Sequence, residues 1–205
     1  MRNHEDSETH FLWQKKTHSE KVSTMAWSGL RERVDLTEEE IMEVNTLLSV
    51  DLSGPVDHII VIDKFQIDMI IKKLACLQPQ TWLNDEVINF YTNMMVQETM
   101  QSAGGERIYS FSTFFMERVY QNRQYNFPNV QRWTKKVDIF GQKKVFIPIN
   151  ISNRHWVLVL IDLTVKTIFF YDGFEANGDP YVTLTLQVLL TTITLQLIWN
   201  LSKLL

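Results

Sequence analysis

A histidine and an aspartate in the last quarter of the chain are the residues whose types could do acid–base chemistry. His155 opens the segment HWVLVLIDL, and Asp172 closes the segment TIFFYD. An imidazole titrates near neutral pH, and a neighbouring carboxylate can fix its tautomer and orientation. Such a pair activates the nucleophile of many hydrolases. This chemistry requires that the fold bring the two side chains together.

The segments that end in these residues predict a β-hairpin. They are apolar, β-prone runs separated by a turn centred near Val165. In an antiparallel hairpin with that turn, the residue opposite His155 falls between positions 173 and 177, so Asp172 lies close by at the open end. We expect the carboxylate to accept from Nδ1–H and to leave Nε2 for a nucleophile. Considered singly, the histidine is more commonly a rim residue, and an aspartate before Gly173 is more commonly a turn former.

The composition indicates a folded intracellular protein. Hydrophobic residues make up 45% and charged residues 21% of the 205 residues, which are globular values. The net charge of -4 argues against a general nucleic-acid binder. The one cysteine, Cys76, excludes an internal disulfide framework and fits a reducing compartment. The N-terminal segment MRNHEDSETHF lacks the apolar stretch of a secretory signal.

The pattern along the chain predicts three parts. Residues 1–34 are polar and are predicted to be a disordered tail. Residues 35–178 are predicted to form the domain, in which helices come first and strands later, as in an α+β fold with helices packed on a mixed or antiparallel sheet. A helix is expected over 67–77, and another begins after Asn84, which can cap it.

The third part, residues 179–205, is an uncharged tail. Tyr181 to Trp199 carry no charge over 19 residues, a length that could span a bilayer. Seven of these residues are Thr or Gln, and TLTLQVL alternates like a strand, so we expect a β-prone, aggregation-prone segment and no membrane partner.

Six motifs occur in an order that resembles one family of peptidases. They are WLNDEVINFY, STFF, RWTKKVDIF, VFIPIN, RHWVLVLID and FFYDG. Together they are similar to the catalytic domain of the ubiquitin-like-protein-specific (sentrin- or SUMO-specific) cysteine proteases, over roughly residues 36–175. The resemblance implies a papain-like cysteine protease fold of the SUMO-protease type, here truncated. It also implies SUMO or a related ubiquitin-like protein and its conjugates as partners, a nuclear or nuclear and cytoplasmic location, and neither cofactor nor metal.

The resemblance also implies roles for individual residues. His155 is similar to the family's general base and Asp172 to its orienting acid. Trp82 and Trp156 are similar to two indoles that clamp the Gly-Gly end of the substrate. A slot walled by two flat rings admits residues that lack a Cβ and excludes others.

Three further residues match family positions that contact the body of the ubiquitin-like protein, namely Asp85, Phe114 and Arg132. Without the family match, Trp82 would be interpreted as a core aromatic at a helix start. Arg132 would be interpreted as a solvated cation.

The chain departs from the family at the nucleophile. In the family, a Gln…Asp-Cys-Gly segment downstream of the YD motif supplies the thiolate at the start of a helix, and no such segment follows Asp172. Cys76 lies near the end of the helix predicted over 67–77, where the dipole does not favour a thiolate, and it is not proposed as a substitute. The sequence is expected to leave the family frame near Asp179, as an alternative exon, an incomplete gene prediction or a shifted reading frame would produce.

The sequence therefore predicts a SUMO-type cysteine peptidase or isopeptidase that is catalytically deficient in this form. The alternative is a non-catalytic module that binds a ubiquitin-like protein. A third possibility is an unrelated α+β domain with a chance His–Asp pair.

Overall fold

The computed structural model describes residues 14–18, 36–52, 54, 59–122, 124–173 and 179–202. Its strands are β1 (Gln14–His18), β2 (Ile60–Lys64), β3 (Ile67–Ile70), β4 (Ile108–Ser110), β5 (Tyr120–Gln121), β6 (Gln124–Tyr125), β7 (Lys144–Ile151), β8 (His155–Asp162) and β9 (Thr167–Tyr171). Its α-helices are α1 (Glu38–Leu48), α2 (Ile71–Leu74), α3 (Asp85–Gln101), α4 (Phe115–Val119), α5 (Gln131–Lys135) and α6 (Asp179–Ser202). Short 3-10 turns follow α2 (Ala75–Leu77) and precede α5 (Phe127–Asn129).

A mixed five-stranded sheet carries the predicted acid–base residues. Its strand order is β1-β9-β8-β7-β4, in which β8 is antiparallel to both neighbours while β1 and β4 run parallel to theirs. Strand β8 lies in the middle because it is almost wholly apolar, and its residues Val157, Val159 and Ile161 are buried. The predicted α+β fold, with helices packed on a mixed sheet, is confirmed.

The hydrophobic core lies on one face of this sheet. Alternate residues of β7, β8 and β9 meet α4, α6 and the aromatic segment before α4. Phe111 and Phe115 stack with ring centroids 3.9 Å apart, and Phe115 is completely buried. Full burial of a side chain of this size contributes about 1.5–3 kcal/mol. The core therefore fixes the sheet on which the candidate site is built.

The helix predicted over residues 67–77 is wrong in its first part. Strands β2 and β3 form an antiparallel hairpin through Phe65 and Gln66, both of which have φ near +60°. Two successive left-handed residues give the tight turn whose twist matches that of paired strands. Pairing with β2 engages the backbone of Ile67–Ile70, so the helix starts only at Ile71.

Helices α1 and α3 begin at side-chain caps. Thr37 and Glu40 form a capping box, and these hydrogen bonds, first to the Thr37 backbone, lower the pKa of Glu40. Asn84 Oδ1 accepts the backbone N–H of Val87 at 2.9 Å, as predicted for the start of α3. Asn84 Nδ2 also donates to the carbonyl of Lys73 at 2.8 Å, which ties the start of α3 to α2.

The C-terminal segment is a helix, and the expected strand-like conformation is wrong. Helix α6 packs on the sheet through Val182, Thr185, Val188 and Leu189, which recur at helical spacing. Four of its threonine hydroxyls bond to the carbonyl four residues earlier, as Thr185 does to Tyr181 at 2.8 Å. This bonding satisfies the hydroxyls inside the helix, so burial of one face overrides the β propensity of threonine.

The predicted N-terminal tail lies mostly outside the described residues. Within it, Gln14–His18 form β1, which pairs in parallel with β9 along its whole length. Among the described helices, none combines the length and the apolar character needed to cross a membrane.

Candidate active site

The structure brings His155 and Asp172 together at the open end of the β8–β9 hairpin. The register pairs Leu158 with Tyr171, so continuing it by one residue places Asp172 across from Val157 and diagonal to His155. Diagonal neighbours on one face of a sheet lie about 7–8 Å apart at the backbone, within reach of long side chains. The predicted proximity of the two side chains is confirmed.

The two side chains share a hydrogen bond between His155 Nε2 and Asp172 Oδ1. The Asp172 side chain is 3% exposed and the His155 side chain 18% exposed, so the carboxylate lies beneath the imidazole. The predicted choice of ring nitrogen is wrong, because Nε2 and not Nδ1 faces the carboxylate. Nδ1 is then the nitrogen on the side of the ring away from Asp172.

Trp156 is fixed in place by the segment that leads into α3. Its indole Nε1 donates to the carbonyl of Leu83 at 2.9 Å, across 73 positions of sequence. Trp82, the neighbour of Leu83, is 62% exposed and is therefore not the core aromatic that its position alone would suggest. The hydrogen bond thus joins the strand of His155 to the segment that carries the second predicted indole.

Asp85 and Phe114 line one cleft of about 330 Å³. Asp85 is the first residue of α3, and Phe114 is exposed just before α4. Glu117, Asn150 and Tyr181 also face this cleft. The structure therefore unites two of the three residues predicted to contact the body of a protein partner.

Arg132 lies elsewhere, on the exposed surface of α5, and it does not line this cleft. A larger cavity of about 690 Å³ lies between α5 and the C-terminal half of α6, and its lining includes Phe127, Leu195 and Ile198. None of the predicted site residues borders it. Cavity size alone would therefore point away from the acid–base pair.

Sequence reasoning missed two groups at the site. The first is the backbone carbonyl of Leu83, which no side-chain pattern marks. The second is Asn150, which pairs with Trp156 across β7 and β8. Its Oδ1 is buried and has no hydrogen-bond partner among the described residues. A polar residue at the end of the apolar run VFIPIN was the available signal for Asn150.

The far end of the hairpin is closed by Asp162. Its carboxylate accepts from the backbone N–H groups of Thr164 at 3.0 Å and Val165 at 3.3 Å, and from the Thr164 hydroxyl. Burial alone would raise the pKa of Asp162, but these hydrogen bonds outweigh burial and leave the pKa below its ordinary value. The turn fixes the register that brings His155 and Asp172 together.

The one cysteine, Cys76, is far from His155 and Asp172 along the sequence. Cys76 lies in the 3-10 turn after α2 and is 8% exposed. Among the described residues, no group of three His, Cys, Asp or Glu side chains is placed to hold a metal ion.

Comparison with known proteins agrees with the family resemblance of the sequence motifs. Residues 81–194 match the family model described as the Ulp1 protease family, C-terminal catalytic domain. This match continues past residue 178, where the motifs predict the end of the domain, into α6. A Caenorhabditis elegans sentrin-specific protease is 38% identical over 117 residues, which are 57% of this chain and 16% of that protein. Human sentrin-specific protease 2 is 33% identical over 156 residues, which are 76% of this chain and 25% of that protein.

Two solved structures share the fold. The C-terminal Ulp1 protease domain in complex with Smt3, the yeast ortholog of SUMO, has a TM-score of 0.66 at 24% identity, covering 80% of this chain and 71% of that chain. SUMO protease Ulp1 with its catalytic cysteine oxidised to a sulfenic acid has a TM-score of 0.64 at 25% identity, covering 78% and 68%.

The chain spans between about a sixth and a quarter of the length of the curated relatives described above. The family model, in contrast, matches more than half of this chain. The chain therefore belongs to the Ulp1 protease family, through its C-terminal catalytic domain.

Proposed function

We propose that this chain recognises the Gly-Gly end of SUMO or a related ubiquitin-like protein, and that it carries the acid–base half of a desumoylating cysteine peptidase. The observation that carries the proposal is the hydrogen-bonded His155–Asp172 pair directly beside Trp156. It is supported by the solved relative that was captured with Smt3.

In the complete reaction, a thiolate attacks the carbonyl carbon of the terminal glycine, the bond to the leaving amine breaks, and water then hydrolyses the resulting thioester to regenerate the thiol. The imidazole takes the thiol proton and returns it to the leaving amine. In this chain the proton would travel through Nδ1 of His155, because Nε2 is engaged by Asp172. Asp172 would orient the ring and stabilise the imidazolium, since its buried carboxylate lies against Nε2.

The C-terminal Gly-Gly tail of the ubiquitin-like protein would enter between Trp82 and Trp156. The Leu83 carbonyl occupies the indole N–H of Trp156, so this ring offers its flat face rather than a hydrogen bond. The exposure of Trp82 leaves its ring available for the opposite wall. Residues without a Cβ fit such a slot, which gives specificity by exclusion.

We further propose that this chain does not turn over its substrate. Its single thiol, Cys76, is buried in a turn that precedes α3, whereas the general base is on β8. Loss of the nucleophile alone reduces kcat by about 10⁶ in a comparable triad enzyme. The proposed deficiency follows from the burial of this thiol, the only one in the sequence.

The test is hydrolysis of a fluorogenic substrate made from the SUMO C-terminus, with Cys76→Ser and His155→Ala as variants. We expect no release above the rate without enzyme for the native chain and both variants. Release that persists in Cys76→Ser but is lost in His155→Ala would refute the deficiency, since it would identify a working site with another nucleophile.

A second candidate is a binding module without any catalytic role. For either candidate we propose a location in the nucleus or in both nucleus and cytoplasm. The binding module is favoured by the indole hydrogen bond, which preforms one wall of the slot in the absence of a thiol. Pull-down with processed SUMO should retain the native chain and lose Trp156→Ala. Equal retention of both would exclude the slot as the binding element. Nucleic acid and membranes are not proposed as partners.

A further inference from the structure

A buried polar pair joins α3 to the segment that carries Phe114. Asn89 Nδ2 donates to Thr113 Oγ1 at 3.0 Å, and the backbone N–H of Thr113 donates to Asn89 Oδ1 at 2.9 Å. Asn89 is 9% exposed and Thr113 is 5% exposed. Buried polar groups are costly when unpaired, so this reciprocal arrangement favours a single relative position of the two backbones.

The pair lies between the two predicted contacts with the partner's body. Asp85 is four residues before Asn89, so both residues project from the same face of α3, one turn apart. Thr113 immediately precedes Phe114 and itself lines the cleft that Asp85 and Phe114 share. A shift of one turn or one backbone step at the pair would therefore change the separation of Asp85 and Phe114.

Other links from α3 lead to different parts of the fold. The cap residue Asn84 bonds to Lys73 on α2. Phe90 meets Phe65, in the turn of the β2–β3 hairpin, edge to face at 5.5 Å. The Asn89–Thr113 hydrogen bonds, in contrast, lead directly to the cleft.

We propose that Asn89 and Thr113 are positioning residues that hold Asp85 and Phe114 at the separation the ubiquitin-like partner requires. The inference rests on the proposed function, because it assigns the pair to the recognition of that partner. The pair acts through its neighbours, so its loss should reduce the benefit that Asp85 and Phe114 bring to binding. A pair that only fastened α3 to the core would leave that benefit unchanged.

The experiment measures the affinity for processed SUMO by calorimetry, together with the melting temperature. Thr113→Val removes the hydroxyl at nearly constant shape. Thr192→Val is the matched control, since Thr192 is also 5% exposed and its hydroxyl donates to the Val188 carbonyl within α6. We expect Thr113→Val to weaken binding about fivefold, Thr113→Ser to restore it, and Thr192→Val to leave it unchanged.

The decisive readout is a double-mutant cycle with Phe114→Ala. In the Thr113→Val background, Phe114→Ala should reduce the affinity for processed SUMO by at most half the factor by which it reduces it in the native chain. Asn89→Gln, which keeps both polar groups but lengthens the side chain, is the second variant and should also weaken binding.

Three results would contradict the inference. If Thr113→Val lowered the melting temperature but left the affinity unchanged, the pair would have a structural role only. Independent effects of Thr113→Val and Phe114→Ala would exclude positioning. Absence of any binding by the native chain would refute the proposed function, and the inference with it.

Discussion

Disruption of the His155–Asp172 pair should destabilise the fold as well as abolish its acid–base capacity. The Asp172 carboxylate is 3% exposed and bonds to Nε2 of His155. His155→Ala removes the hydrogen bond that the imidazole donates to this buried carboxylate. A hydrogen bond to a charged group contributes about 1.5–3 kcal/mol to stability. Because the imidazole itself is 18% exposed, water can partly replace it, and we expect His155→Ala to cost about 2 kcal/mol.

The assay is urea unfolding of the native chain, His155→Ala, Asp172→Ala and the double variant. We expect the double variant to be less destabilised than the sum of the single variants, with a coupling energy of at least about 1.5 kcal/mol. Asp172→Asn keeps the shape and an acceptor oxygen, so it should cost about 1–2 kcal/mol. Additive single effects, with coupling below about 0.5 kcal/mol, would refute the pairing.

Three further predictions concern the hairpin turn, the cysteine and the indole of Trp156. The pKa of Asp162 in the folded chain lies below its ordinary value of 3.8. The ionised carboxylate therefore stabilises the fold at pH values above 3.8, and this stabilisation is lost as the pH falls through the folded-state pKa. Asp162→Asn should therefore flatten the dependence of unfolding free energy on pH below about pH 5 in urea titrations, and an unaltered slope would contradict this origin. Cys76 should react slowly with a thiol reagent in the native chain and fully in urea, whereas rapid native reaction would contradict its burial. Trp156→Phe keeps an aromatic ring but loses the donor to Leu83, so it should cost about 0.5–1.5 kcal/mol in thermal unfolding and weaken binding of processed SUMO; an unchanged melting temperature would show that the hydrogen bond adds nothing.

Local sequence patterns were sufficient for the parts of the fold that local chemistry decides. The hairpin of β8 and β9 follows from two apolar runs around a short turn, and its register alone brings His155 near Asp172. The capping box at Thr37 and the cap at Asn84 act within one helical turn, so they can be read directly from residue types.

Features decided by tertiary packing or backbone geometry were not predictable in this way. The strand Ile67–Ile70 depends on two left-handed residues, neither of which is glycine, so no residue type marks the turn. Helix α6 depends on a core face that the sheet supplies, which outweighs the β propensity of its threonines. The ring nitrogen of His155 that meets Asp172 depends on side-chain rotation, which the register of the strands leaves open.

The candidate site shows the same division. Motif resemblance identified His155, Trp156, Asp85 and Phe114, and the structure places the last two on one cleft. The motifs gave no indication of the Leu83 carbonyl, because any residue type can supply a backbone acceptor.

Recognition of the Gly-Gly tail is tested most directly by titrating the native chain with processed SUMO and with SUMO lacking its two terminal glycines. We expect processed SUMO to bind, removal of the two glycines to weaken binding at least about tenfold, and Trp156→Ala to make the two forms bind equally weakly. Equal affinity of the native chain for both forms would contradict the claim that Trp82 and Trp156 form a slot for the Gly-Gly tail.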